Sequence, residues 1–358
     1  MFWDALLPRK RQLIGLDIGS HSIKLVELEE AKRGGWMLQN LGLAQLPAET
    51  IVEGNIQDPG AVVETIRQLV ANVKPATKSV ATSISGYSVI VKKIIVGKAT
   101  QEELEESIHW EAEQYIPFDI NDVNIDFQIL GEAESNPDQM EVMLVAAKKD
   151  IIDTYTGLLQ QAGLTPAVIE VDSFAMGNAY EHTYPEPEGG TCTALIDIGA
   201  EKMNINIVKN GTPSLTRDAS FGGRQITERL RRERGISLEE AEALKLKGST
   251  EAQVQQAMEE IYLSVLGAWV AEVERSIELF SATYPAEKVG RIILSGGSSR
   301  VAGLPELLSS GTGLDVSIFN PFAHIECDPK GFDADYLRYV GPQLAICAGL
   351  AMRRVGDK

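Results

Sequence analysis

Asp17-Ile18-Gly19 and Asp197-Ile198-Gly199 each set a carboxylate two residues ahead of a glycine, at the end of an apolar run. A glycine turn lets the backbone approach a ligand closely, and its N–H groups can point at phosphate oxygens. The carboxylate cannot touch phosphate itself, but it can hold a hydrated Mg²⁺ that bridges phosphates. Two such turns facing each other would clamp a polyphosphate, with Asp17 and Asp197 on the metal side. Lys24, seven residues beyond Asp17, would reach back along the same hairpin as a phosphate cation. The hydroxyls of Ser20 and Ser22 can donate to the same oxygens. A third glycine-rich turn, Ser295-Gly296-Gly297-Ser298, has no side-chain bulk at its centre and suits a ribose and base. Each piece has a plainer reading when taken alone. An Asp before a glycine commonly stabilises its own turn, Leu-Ser-Gly-Gly is a strand-to-helix turn, and Lys24 alone is a solvated strand residue. The ordered conjunction is what points to a nucleotide.

The elements that must hold these residues show the same pattern twice. Counting from Asp17, apolar Ile23 and Leu25 fall at plus six and plus eight, and Met203 and Ile205 do so from Asp197. Period-two alternation broken by a glycine predicts strand, tight turn and second strand. The chain therefore reads as two duplicated halves, each opening with a hairpin. Lys78–Gly86 reads as a further strand. From Tyr87 to Gly163 the order strand, helix, strand, strand, helix predicts a small α+β subdomain inserted in the first half, with Gly131–Gln139 as a polar hairpin loop. Val168–Asp172 returns to the core as a strand. His182–Gly190, with prolines and glycines among acids, reads as the linker. In the second half, Gly222-Gly223 precedes a helix. Met258, Ile261, Val265, Trp269, Val273, Ile277 and Phe280 then mark one long amphipathic helix.

Composition sets the outer bounds. The chain has 358 residues, with 33 Lys plus Arg against 51 Asp plus Glu, a formal charge of −18. That balance excludes a polyanion such as nucleic acid as the partner. Hydrophobic residues make up 44%, which supports a packed core in two or three domains. No apolar run approaches the ~20 residues of a membrane span, and the opening MFWDALLPRKR lacks the apolar core of a signal peptide. Cys192, Cys327 and Cys347 are scattered, so neither a disulfide framework nor a zinc site is indicated. A cytoplasmic, acidic, multidomain protein is expected.

Asp17-Ile18-Gly19-Ser20 with Lys24, Asp197-Ile198-Gly199, and Leu294-Ser295-Gly296-Gly297-Ser298-Ser299 follow one another in the order found in the actin, sugar-kinase and heat-shock-chaperone superfamily, which the sequence resembles. The resemblance implies an α/β actin-like ATPase fold: two duplicated βαβ-type halves around a cleft that takes ATP and Mg²⁺. Asp172–Tyr180 is similar to the superfamily's first connecting helix, and Asp172 then stands where chaperone-like members keep an acid near the attacking water. The plainer role for Asp172 is a helix N-cap. Ala345–Met352 resembles the second connecting helix. Gly222, Gly223, Glu242 and Lys245 resemble the segment that packs on ribose and adenine. Within the superfamily, the insertion TQEELEESIHWEAEQYIPFDINDVNIDFQILG and the stretches LIGLDIGSHSIKLVEL and AVIEVDSFAMGNAYE closely resemble the PilM family of type IV pilus assembly proteins. These are cytoplasmic ATP-binding relatives of the division protein FtsA that dock onto the short N-terminal cytoplasmic tail of the membrane protein PilN. The resemblance thus implies a peripheral place at the inner membrane, in the pilus inner-membrane complex.

This implies an N-terminal arm at 1–12 and a first actin-like domain at 13–181 holding an FtsA-like α+β insertion at 87–164. A linker at 182–190 follows, then a second domain at 191–342 with a helical part at 224–290, and a connecting helix at 343–358. A small-molecule kinase of the same fold is the enzyme alternative, but no sugar-binding base is recognisable, and fold alone does not supply function. An FtsA-like filament protein is the other alternative. FtsA proteins carry a C-terminal amphipathic membrane helix, for which the ending Arg353–Lys358 leaves no room. Phe2, Trp3, Leu6 and Leu7 with Arg9, Lys10 and Arg11 suit either weak contact with an anionic membrane or a packed arm. Only slow ATP turnover is expected. Pro117 ends the acidic helix of the insertion, so Tyr115, Ile116 and Phe118 would face its junction with the core. There they would either line an apolar groove for the PilN tail, edged by Glu105, Glu111 and Glu113, or simply fill the core. Trp110 reads as core, and His21 as a bystander beside the first turn.

Overall fold

The structure is a computed structural model that describes residues 12–32, 34–133, 136–185, 190–248 and 250–356. Residues 1–11 of the arm expected at 1–12, and the acidic centre of the linker, 186–189, lie outside the described residues.

The first half opens with strands β1 (Ile14–Ile18), β2 (Ser22–Glu30) and β3 (Trp36–Gln45). A two-rung hairpin, β4 (Ile51–Val52) and β5 (Asn55–Ile56), leads to helix α1 (Pro59–Val73) and strand β6 (Ser79–Ile84). Next come β7 (Val89–Gly97), α2 (Gln101–Ala112), β8 (Val123–Ala133) and β9 (Asn136–Lys148), then α3 (Lys149–Gln161), β10 (Thr165–Val171) and α4 (Asp172–Thr183). The second half holds β11 (Cys192–Ile198), β12 (Met203–Lys209), β13 (Thr212–Ala219), α5 (Arg224–Arg234), α6 (Leu238–Lys247) and α7 (Ala252–Thr283). It closes with β14 (Val289–Ser295), α8 (Leu304–Thr312), β15 (Asp315–Ile318), α9 (Ala334–Val340) and α10 (Ala345–Ala351).

The two five-stranded sheets have one topology, β10-β6-β1-β2-β3 and β15-β14-β11-β12-β13. In each, an antiparallel meander continues into parallel neighbours on the far side of its first strand. The opening hairpins even share a register, with Asp17 opposite Lys24 and Asp197 opposite Asn204. Residues 180 apart are therefore equivalent. Strand β1 is buried on both faces, as a central strand with parallel pairing demands.

Helices α4 and α10 lie between the sheets. Their Ala175, Met176, Ala345 and Leu350 share one core with Leu13 and Ala81 of the first half and Leu195 and Ile293 of the second. Small residues make the crossing close. A Cβ on Gly349 would lie 1.7 Å from the Ala175 carbonyl oxygen, and one on Gly15 2.2 Å from that of Cys347.

The insertion builds its own antiparallel sheet, β7-β9-β8, under α2. Helix α2 starts with a capping box between Thr100 and Glu103 and buries the stripe Leu104, Ile108 and Ala112. Trp110 sits two residues off that stripe, about 200° round the helix, and is 73% exposed rather than core. Strands β8 and β9 run on into the stretch expected as a polar loop. Helix α3, grouped by pattern with the insertion, instead joins the first half's core through Tyr155, Leu158 and Leu159. The insertion's own core thus ends with β9. Helices α5, α6 and α7 likewise share a core with β11, β12 and β14.

Candidate functional site

The two hairpin tips meet at the cleft between the halves. Each turn is closed the same way: the Gly19 N–H donates to the Ser22 carbonyl at 3.2 Å, and the Gly199 N–H to the Lys202 carbonyl at 2.8 Å. Ser20 lies within the first turn and Ser22 starts β2. Cross-strand pairing brings Lys24 Nζ to 2.9 Å from Asp17 Oδ2, both largely buried. Burial opposes the Lys24 charge, yet the Asp17 carboxylate outweighs it and holds the ammonium above its usual value. Lys24 therefore does reach back along its hairpin, but onto the aspartate. His21 remains exposed at the tip.

Asp197 differs from its counterpart Asp17. It accepts a hydrogen bond from Ser295 Oγ at 2.6 Å and has no ion-pair partner among the described residues. Burial and the neighbouring Asp17 charge push its carboxyl up to about 6, despite the Ser295 hydroxyl. Asn204, where the first hairpin has Lys24, turns to Asp218 Oδ1 at 2.9 Å.

The adenosine-side residues also converge on the second hairpin. Gly223 N donates to the Gly199 carbonyl at 3.1 Å, and Ser298 Oγ donates to the same oxygen at 2.7 Å. Gly222 is pressed against this turn, where a Cβ would lie 2.4 Å from the Ala200 oxygen. Gly296, at φ 84°, passes over Ile198, and Gly297 opens the one-turn helix Gly297–Arg300. Glu242 and Lys245 pair at 2.8 Å across one turn of α6. Lys245 Nζ also donates to Thr227 Oγ1 at 3.0 Å, and Thr227 Oγ1 to Glu242 at 2.6 Å. Burial opposes the Glu242 charge, but Lys245 keeps its carboxyl below the ordinary range.

Asp172 is the first residue of α4, and Val171 occupies the cap position without a side-chain cap bond. Asp172 is thus no N-cap. Its Oδ2 accepts from Lys202 Nζ at 2.9 Å and from Ser85 Oγ, and Lys202 also donates to Ser85 Oγ. Burial works against its charge, but Lys202 holds the carboxyl below its usual value. Nearer the mouth, Arg224 bridges Glu49 of the first half to Glu201, whose Oε2 accepts the Glu53 N–H at 2.8 Å.

The expected partner residues divide. Ile116 is 6% exposed, inside the insertion's core, where Tyr115 and Phe118 are only partly buried. Phe118 and Pro117 line a cavity of about 370 Å³ between the insertion and the second half. Its other walls are Ser85–Tyr87, Val89–Val91, Val171, Asn204 and Thr216–Asp218. The edge comes from Arg217 and Asp218 of β13 rather than from the three glutamates of the α2 region. Lys148 Nζ lies 4.4 Å over the Phe118 ring.

Lys202, Ser85 and Asp218 carry no motif of their own. Shifting the first hairpin by 180 residues, which puts Lys202 at the place of Ser22, is the sequence signal that finds Lys202.

Two halves of one topology, joined by two crossed helices and each offering a glycine hairpin to a shared cleft, define the actin-like nucleotide-binding fold. The family model of type IV pilus assembly protein PilM matches residues 15–355, and the chain belongs to that family. It is similar to a solved PilM-PilN type IV pilus biogenesis complex, with 29% identity and a TM-score of 0.86 over 97% of this chain and 100% of that one. The cell division protein FtsA of Neisseria meningitidis serogroup B is 25% identical over 341 residues, 83% of this chain and 81% of the relative. The ethanolamine utilization protein EutJ from Carboxydothermus hydrogenoformans shares the fold, with a TM-score of 0.56 at 16% identity, over 97% and 91% of the two chains. Among the described residues, no helix is long and apolar enough to cross a membrane.

Proposed function

We propose that this chain is an ATP-binding scaffold of the type IV pilus inner-membrane complex, which takes Mg-ATP in the cleft and docks the cytoplasmic tail of a PilN-type partner. The observation that carries the reading is the full-length similarity to the PilM-PilN complex. The cleft fits a nucleotide. Glycine backbone from Gly19, Gly199, Gly222, Gly223, Gly296 and Gly297 lines it without bulk, Lys24 supplies charge to the phosphates, and Glu242 and Lys245 flank the ribose and base. Among the described residues, no three His, Cys, Asp or Glu groups gather to hold a metal by themselves. Mg²⁺ at Asp17 and Asp197 would thus complete its ligands with phosphate and water, and would supply charge neutralisation there. Asp172 remains the acid nearest the chemistry, and turnover is at most slow.

The tail is assigned to the cavity under Phe118, which joins apolar walls to Arg217 and Asp218. The test is calorimetry of the full chain with Mg-ATP and, separately, with a synthetic peptide of the PilN tail. Binding of both supports the scaffold. Binding of neither, with phosphate transfer to a sugar panel, would favour a kinase. Polymerisation with ATP and no affinity for the peptide would favour an FtsA-like role.

A further inference from the structure

Lys202 is a cation of the cleft that the family motifs do not account for. It stands at the turn of the second hairpin, at the place of Ser22 in the first, while the equivalent of Lys24 has become Asn204. Its Nζ crosses from the second half to two elements of the first: the end of β6 through Ser85, and the start of α4 through Asp172. Asp172 Oδ2 accepts from both partners, so this carboxylate oxygen is fully engaged. Resting on the reading that a nucleotide occupies the cleft, we propose that Lys202 is a positioning residue that fixes Asp172 as a tie between the halves, leaving it unable to orient the attacking water.

The chemistry shows why this matters. In ATP hydrolysis the water oxygen forms a bond to the terminal phosphorus. The bond from that phosphorus to the bridging oxygen breaks, and its electron pair leaves on ADP. The water proton must pass to a carboxylate or to a phosphate oxygen. A carboxylate whose Oδ2 already holds an ammonium and a hydroxyl is a poor acceptor for that proton, and the tie fixes the direction of its remaining lone pairs. The surroundings reinforce the lock. Asp218 supports the Lys202 charge, and Lys202 itself is held above its usual value by Asp172. Tyr155, packed beside the pair, has its phenol pushed up to about 12 by burial and by the Asp172 charge, so it stays protonated. Asp17 and Asp197 add negative charge from the two hairpins. Slow turnover then follows from a specific contact, and removing the contact should relieve it.

The experiment measures single-turnover Mg-ATP hydrolysis, and affinity for a fluorescent ATP analogue, in the full chain and three variants. Lys202→Met keeps the apolar stem and should hydrolyse at least about tenfold faster, a fraction of the 10²–10⁴-fold that a freed acid–base group contributes. Its nucleotide affinity should stay within about threefold, so the gain falls in rate and not in binding. Lys202→Arg should behave as the parent, and Lys202→Met with Asp172→Asn should return to the parent rate. A Lys202→Met rate at or below the parent, or a double variant as fast as Lys202→Met alone, overturns the proposal while nucleotide binding stands. So does a tenfold loss of affinity in Lys202→Met, which would make Lys202 a phosphate ligand. No nucleotide binding by the parent chain refutes the cleft reading itself, and the proposal with it.

Discussion

Gly349→Ala should be among the most damaging single-methyl changes in this protein. The added Cβ would lie 1.7 Å from the Ala175 oxygen, 2.7 Å from its carbonyl carbon and 3.2 Å from the Ala179 nitrogen. All three are backbone atoms of α4, so no side chain can swing aside. Ordinary contact begins near 3.4 Å, and the two helices must part by more than about 1.5 Å at the crossing. Helix α10 cannot simply retreat, because its other face is seated on β1 at Gly15, where Cys347 and Ala351 backbone already fill the space of a Cβ. Overpacking typically costs 1–3 kcal/mol, and a site closed on both sides belongs at the top of that range, roughly 3 kcal/mol. For a half of this size, each kcal/mol lowers the melting temperature by about 2–4 °C, giving a drop of about 6–12 °C. Circular dichroism melts of the full chain would read it. The matched control is Gly267→Ala, in the middle of α7 with open space around it, which should stabilise by about 0.8–1.0 kcal/mol through helix propensity alone. If Gly349→Ala melts within about 2 °C of the parent, the crossing is softer than this geometry requires, and the reasoning fails.

Three further outcomes follow from the site. Lys24→Ala should weaken Mg-ATP binding by about 1.5–3 kcal/mol, the scale of a charge-assisted hydrogen bond, and calorimetry showing parent affinity would remove Lys24 from the phosphate site. Asp197 holds its proton to about pH 6 in the fold, against about 3.9 unfolded. Stability therefore falls as pH rises from about 4 to 6 and is flat above. Asp197→Asn should melt higher than the parent at pH 7 and converge with it below about pH 4, and the opposite order would contradict the burial argument. Phe118→Ala should abolish binding of the PilN-tail peptide while leaving ATP affinity and melting temperature near the parent values; normal peptide binding would move the docking site elsewhere.

Much of this fold is legible because burial imposes period. The twin hairpins, the α7 stripe and the strand-helix-strand-strand order of the insertion all announce themselves by alternation or by three-to-four spacing. The third meander strand of each half does not. β13 is half-buried at every position, and β3 nearly so, which leaves no alternation to read. Helix α1 also goes unforeseen, although Asp58 caps it through the Ala61 N–H and Pro59 starts it, both signals visible in sequence. Trp110 shows the converse failure: hydrophobicity alone suggests core, while its offset from Leu104, Ile108 and Ala112 already places it on the outer face. At the site, the glycines and Asp17, Lys24 and Asp197 are legible as a repeat with a motif. The contact that Lys202 makes is not, because its partners Ser85 and Asp172 lie 117 and 30 residues away and meet it only through the fold.

A group of positions where this chain breaks local rules falls in one region. Asp17, Asp172 and Asp197 are carboxylates in largely buried positions at the tips or ends of β1, α4 and β11, and among the described residues only Lys24 and Lys202 face them as paired cations. Glu49 and Glu53 take positive φ, at 61° and 51°, a conformation that non-glycine side chains resist, and both reach across the mouth to Arg224 or Glu201. Strain and uncompensated charge both lower stability, and neither is needed to hold the sheets together. The insertion and the α7 layer show no comparable group of buried acids among the described residues. A fold that gathers three buried aspartates at the two hairpin tips and the helix start facing them, with strained glutamates at the mouth, behaves as one whose cleft is maintained for binding rather than for packing.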